Sequence, residues 1–175
     1  MELNPYAANL GEQDARAVLA ATPGLMHQAI AALTPGQIEA PVAPPRNGKR
    51  RWSPREIVAH LADCEMVFSF RLRQTLAEKA HVVQPFDQEM WATRYASYAL
   101  ADALELFRAA RAWNLKLIGG LSEADFAREV THPERGTMTF QTIIETMAGH
   151  DLNHLSQVQA LVLPDGRPAR AAVTS

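Results

Sequence analysis

Cysteine, net charge and long apolar runs are all scarce in this sequence, and each scarcity excludes something. The single cysteine, Cys64, rules out an intramolecular disulfide and makes a reducing, cytoplasmic setting the natural expectation. Seventeen Lys and Arg against nineteen Asp and Glu leave a net charge of −2. That is too weak a field to gather nucleic acid or anionic lipid, so neither is an expected partner. No apolar run approaches the roughly 18 residues that a membrane-spanning helix needs. The first stretch, Met1 to Asp14, carries Glu2, Glu12 and Asp14 without a basic segment, which argues against a secretory signal. Alternating strands of useful length are missing too. What remains is 175 residues, 47% apolar and 21% charged. That balance fits one globular domain, residues 1–175, with enough chain to bury a core.

Helical periodicity fills most of the chain. A first helical segment covers Asp14 to Leu33 and is expected to kink or restart at Thr22-Pro23-Gly24, because a proline cannot continue the hydrogen-bond ladder. The proline- and glycine-rich stretch Thr34 to Arg51 predicts a long loop. Ser53-Pro54-Arg55-Glu56 then opens the second helix with a capping box, and Ile57, Leu61, Cys64, Phe68, Leu72 and Leu76 carry it to Glu78 or Lys79. A second connection runs from His81 to about Ala96. The third helix, Ser97 to Gly119, is expected to bury Leu100, Leu104, Phe107, Leu117 and Ile118. A turn at Ser122 to Arg128 and the loop His132-Pro133-Glu134-Arg135-Gly136 lead to a last helix from Thr139 to Leu163, ended by Pro164 and Gly166. The predicted fold is therefore all-α: a four-helix bundle with long connections between helices 1 and 2 and between helices 2 and 3. Long connections in compact domains are often placed over a site.

One stripe of the last helix reads Ile143, Met147, His150, His154, Gln157, Leu161. Its ends are apolar and its middle is polar for three positions. Burying one such group without a partner costs about 1–3 kcal/mol, so three on one stripe need a shared reason. His150 and His154 are four apart, and their rings share a face and can reach one cation. The second helix carries a similar oddity, His60, among Ile57, Leu61, Cys64 and Val67. Three imidazoles without an obvious fourth strong ligand match a catalytic rather than a structural metal site. Any one of these histidines alone reads more simply as a core or surface residue; the argument rests on the three together.

Other candidates are weaker. Glu78-x-x-His81 and Glu129-x-x-His132 resemble the di-iron Glu-x-x-His element, but they fall at helix ends or in loops and lack partner glutamates. Cys64 could supply a thiolate, although a buried cysteine is usually a small apolar residue. His27 has no partner at ligand spacing. The basic cluster Arg46, Lys49, Arg50 and Arg51 reads as a solvated loop that could also guide an anionic substrate. Asp63, Asp151 and Gln157 could orient imidazoles, or serve only as capping and surface groups. Arg111 and Asn114, on the Leu104, Phe107, Ile118 stripe, could bind a substrate carboxylate or tie helices together.

The segments Trp52-Ser53-Pro54-Arg55-Glu56-Ile57-Val58-Ala59-His60-Leu61-Ala62-Asp63 and Gly149-His150-Asp151-Leu152-Asn153-His154-Leu155-Ser156-Gln157 resemble the two signature segments of the DinB/YfiT-like family. The resemblance extends to Leu19-Ala20-Ala21-Thr22-Pro23, Pro85-Phe86-Asp87 and Gly136-Thr137-Met138-Thr139. It implies a four-helix bundle, usually a homodimer, with one divalent metal, nickel or zinc, held by residues matching His60, His150 and His154. It also implies an enzyme that activates a thiol or water as nucleophile. That would be a transferase using a low-molecular-weight thiol or a hydrolase, with a small margin toward thiol chemistry. The rival expectation is a non-catalytic bundle that binds a ligand or partner around a structural or vestigial metal.

Overall fold

The computed structural model of the chain describes residues 3–42 and 52–162. Its helices are α1 Ala7–Leu10, α2 Ala15–Ala31, α3 Pro35–Glu39, α4 Pro54–Ala77, α5 Gln88–Ala92, α6 Leu100–Gly119, α7 Glu123–Phe126 and α8 Phe140–Gln159. A 3-10 turn at Tyr95–Ser97 and a hairpin of β1 Glu129–His132 with β2 Gly136–Thr139 complete the described elements. Four long helices, α2, α4, α6 and α8, form the expected bundle.

The punctuation at α4 works as its residues dictate. The Ser53 side chain accepts from the Glu56 N–H, Glu56 reaches back to the Ser53 N–H at 2.9 Å, and Pro54 occupies the first turn. Thr139 caps α8 by accepting from the Thr142 N–H at 3.1 Å. α8 ends at Gln159, short of the expected Leu163; Leu163, Pro164 and Gly166 lie outside the described residues.

Several expectations need correction. α2 does not restart at Pro23 but runs through it. An interior proline lacks the N–H that would bond the carbonyl four residues earlier, here that of Leu19. Arg111 Nη1 donates to that carbonyl instead, at 3.0 Å. The loop after α2 contains α3, set by a Thr34/Gln37 capping box, while residues 43–51, with the basic cluster, lie outside the described residues. The second connection holds α5 and the 3-10 turn. The turn after α6 is the short helix α7. Strands exist where none of useful length was expected: Glu129 pairs with Thr139 and His132 with Gly136, antiparallel. Four-residue strands are too short for alternation to be read with any statistical weight. On α6 the buried stripe is Ala103, Phe107, Arg111, Asn114 and Ile118, with Leu100, Leu104 and Leu117 half-buried.

Neighbouring helices run α2–α8–α4–α6 around the bundle and back to α2. Contacts between named residues give their directions. Glu65 meets Arg111 and Ser69 meets Asn114, while Ala59 and Asp63 line one groove with Ala99 and Ala103, so α4 and α6 are parallel. Trp52 stacks near His154 while Phe68 lies near His150, so α4 and α8 are antiparallel. Two consecutive parallel helices force the chain to travel back the length of α4, about 36 Å for its 24 residues. That return path explains the long second connection, and it lays Val83, Phe86 and Gln88 over the bundle beside the histidines.

Candidate metal centre

α4 and α8 bring the three predicted histidines together. Ring centroids lie 5.0 Å apart for His60 and His150, 5.0 Å for His60 and His154, and 4.6 Å for His150 and His154. His60 Nε2 and His150 Nε2 are 3.0 Å apart. All three rings are buried. The donor atoms of His60, Cys64 and His150 all lie within 4.8 Å of one another, with the Cys64 sulfur 3.5 Å from His60 Nε2. His154 packs against this group, and its Nδ1 is buried without a hydrogen-bond partner among the described residues.

Burial holds the rings neutral. It pushes His60 far below the ordinary imidazole range, assisted by repulsion from His150 and His154. His150 falls to about 4 through burial and the Arg111 charge. His154 falls well below 6.5 through burial and His150, against a raising contribution from the Gln157 amide. Neutral rings are the form that binds metal. The Cys64 thiol is pushed up by burial first, and then by Asp63, Asp151 and Glu65 against a lowering contribution from Arg71. An orphaned buried nitrogen and a nitrogen-and-sulfur donor set fit a borderline-soft divalent ion.

Of the other predicted residues, Asp63, Asp151, Arg111 and Asn114 make no hydrogen bond to an imidazole among the described residues. Asp63 faces Tyr95. Arg111 is the centre of a buried network: Nη1 donates to Asp151 at 2.6 Å and to the Leu19 carbonyl, and Nη2 donates to Glu65 at 2.7 Å. One guanidinium from α6 thereby bonds α2, α4 and α8. Asn114 Nδ2 donates to Glu65 and Ser69, each at 2.7 Å, and Asn114 Oδ1 accepts from Arg73. Two acids share one base, and burial raises the Asp151 carboxyl against the pull of Arg111. His81 bonds Glu78, and His132 sits on the hairpin.

Sequence reading missed Trp52, Tyr6 and Glu65. The Trp52 ring lies 4.4 Å from His60 and nearly parallel to His154 at 5.9 Å. Tyr6 packs edge-on against His150 at 5.1 Å. Gly149 permits that contact, since a Cβ there would collide with the Tyr6 carbonyl oxygen. Glu65 could have been found by the same signal as His60, because a charge four residues after Leu61 and seven before Leu72 interrupts an apolar stripe. Tyr6 left no comparable signal, since its role depends on a contact 144 positions away. A cavity of about 100 Å³ reaches His150 and Cys64 from outside, between Tyr6, Phe68, Phe86 and Met138.

The sequence profile of the DinB superfamily matches residues 18–158. A relative from Oceanobacillus iheyensis, named “Putative metal-dependent hydrolase”, is 31% identical over 63% of this chain, a match that spans 64% of that protein's length. A Bacillus licheniformis protein of the same description is 30% identical over 79% of this chain and 77% of its own. “Putative metal-dependent hydrolase YfiT” of Bacillus subtilis is 25% identical over 82% of this chain and 80% of its own. The solved YfiT structure, described as “a probable metal-dependent hydrolase with an unusual four-helix bundle topology”, superposes with a TM-score of 0.73 at 23% identity. The superposition covers 83% of this chain and 84% of that one.

Proposed function

Because the chain belongs to the DinB superfamily, we propose that it is a metal-dependent enzyme that binds one divalent ion through His60, His150 and His154 and activates a thiol or water as nucleophile. The observation that carries this reading is the meeting of three buried, neutral imidazoles from two helices, one of which, His150, lines an open cavity beside Cys64. His60, His150 and His154 would hold a zinc or nickel ion, which would supply Lewis-acid chemistry to a thiol or water. The protein's own part is to hold the rings and exclude water. Trp52 covers His60 and His154, and Tyr6 covers His150. The Arg111 network holds α8 against α4 one residue from His150.

The names of the Bacillus and Oceanobacillus relatives favour hydrolysis. The resemblance of the two signature segments favours transfer from a low-molecular-weight thiol. One observation favours the non-catalytic rival: the Cys64 sulfur is close enough to His60 to close the site as a fourth ligand.

Metal analysis separates these readings. The purified protein should hold about one divalent ion per chain. Replacing His60, His150 or His154 by Ala should each weaken binding at least tenfold, while His27→Ala, His81→Ala and His132→Ala leave the stoichiometry unchanged. Cys64→Ser should retain the metal. Loss of metal from that variant, or a sulfur-to-metal charge-transfer band in the cobalt-substituted protein, would favour the closed site. With metal bound, addition of small thiols to epoxide or haloalkyl acceptors should exceed background. A uniformly negative panel moves the reading to hydrolysis or to the rival.

A further inference from the structure

The cavity that ends at His150 and Cys64 has a second chemical character at its outer wall. Cys64, Phe68 and Arg71 fall at i, i+4 and i+7 on one face of α4, so about 10 Å of helix axis separates Arg71 from the floor. The Arg71 guanidinium lies 5.9 Å from the Phe68 ring and 5.9 Å from the Phe86 ring. Its Nη2 donates to the Gln84 carbonyl at 2.9 Å, and its Nε is buried with no partner among the described residues. Across the cavity, the hairpin supplies Arg135 and His132 to the same lining. The Glu134 N–H donates to His132 Nδ1 at 3.2 Å, which leaves the proton of the neutral ring on Nε2 as a donor.

No carboxylate lines this cavity, and neither Arg71 nor Arg135 has an ion-pair partner among the described residues. The two arginines act on each other, and both act on His132. Two guanidinium groups facing one small space without a counter-ion repel each other, and an anion between them would relieve that repulsion. Contrast Arg111, whose burial is compensated by two acids. Phe68, Val83, Phe86, Met138 and Ile143 make most of the remaining lining apolar, and Tyr6, Gln88 and Thr146 add uncharged polar groups.

We propose that Arg71 and Arg135, with His132, form an oxyanion-binding site that takes the carboxylate or phosphate of a small, otherwise apolar substrate and points its other end at the imidazole cluster. This rests on reading the cavity as the substrate cavity. Forked guanidinium donors suit either oxyanion.

The test uses chelator-treated, metal-free protein, so that failure of the metal reading cannot imitate failure of this one. Butyrate, butyramide and inorganic phosphate are titrated by calorimetry and ligand-observed NMR. Butyrate or phosphate should bind and butyramide should bind at least tenfold more weakly; which anion is tighter identifies the source of the charge. Arg71→Met and Arg135→Met should each raise the dissociation constant about tenfold, Arg71→Lys should recover part of the loss, and Arg108→Met should change nothing. Circular dichroism confirms that each variant is folded. Equal binding of butyramide and butyrate, no binding of either anion, or anion binding unaffected by both arginine variants would overturn the proposal. Anion binding that appears only with metal and ignores both variants would also overturn it, by placing the anion at the imidazoles.

Discussion

At the residue scale, the site depends on groups kept in the charge state that suits their surroundings. His150 has a folded-state value of about 4, against about 6.5 for an unperturbed ring. Between those values the unfolded chain holds the extra proton, so stability rises with pH. This ring's contribution is complete above about pH 6.5 and is lost as pH falls toward 4, amounting to roughly 3 kcal/mol. Thermal melts of the metal-free protein should therefore drop between pH 7.5 and 5, and His150→Asn should flatten that slope. A melting temperature indifferent to pH over this range would contradict the burial that holds the ring neutral. The three histidines were legible as polar breaks in apolar stripes, a pattern that survives in one dimension. The residues that cover them were not, because Trp52 reads only as a helix preface and Tyr6 reaches His150 through a glycine whose purpose is visible only in three dimensions.

At the element scale, the helices were read well where local chemistry sets them, as at the Ser53 and Thr139 caps, and poorly where tertiary contact overrides it. Pro23 is the clearest case: the carbonyl it orphans finds a donor on another helix, and of the predicted kink or restart the restart does not occur. The hairpin was missed because it is held at its edge by the Val83 N–H donating to Thr131 and the Thr131 N–H donating to His81. Those partners lie nearly fifty positions away. Arg111→Met should leave two buried acids uncompensated and cost about 3–5 kcal/mol. At about 2–4 °C per kcal/mol for a chain of this size, the melting temperature should fall by roughly 6–20 °C. Glu65→Gln, which leaves Arg111 paired with Asp151, should cost less. A small effect of Arg111→Met in calorimetry would show that the network is not what ties the four helices together. Gly149→Ala should displace α1 and lower stability by about 1–3 kcal/mol, with the N-terminal segment cleaved sooner in limited proteolysis.

At the whole-molecule scale, we propose a specific surface for the expected homodimer. Tyr95 is fully buried against Trp52, so it cannot contribute. Phe70 is 64% exposed and Trp113 63%, on the parallel pair α4 and α6, with Met66 and Leu106 exposed along a groove that the two helices share. We expect light scattering at tens of micromolar to give a dimer, and Phe70→Lys or Trp113→Lys to give monomer; wild-type monomer would dismiss the interface. The helix order also has a kinetic consequence. α2 does not pack beside α4, nor α6 beside α8, so neither pair can form first as a local hairpin. His60 meets His150 across 90 positions, and Arg111 meets Leu19 across 92. Such separations give an all-helical chain the loop-closure burden of a β-protein, and refolding should be slow for a bundle of this size. The two signature segments lie on α4 and α8, so a chain that stops short of α8 has His60 but neither of the imidazoles that meet it.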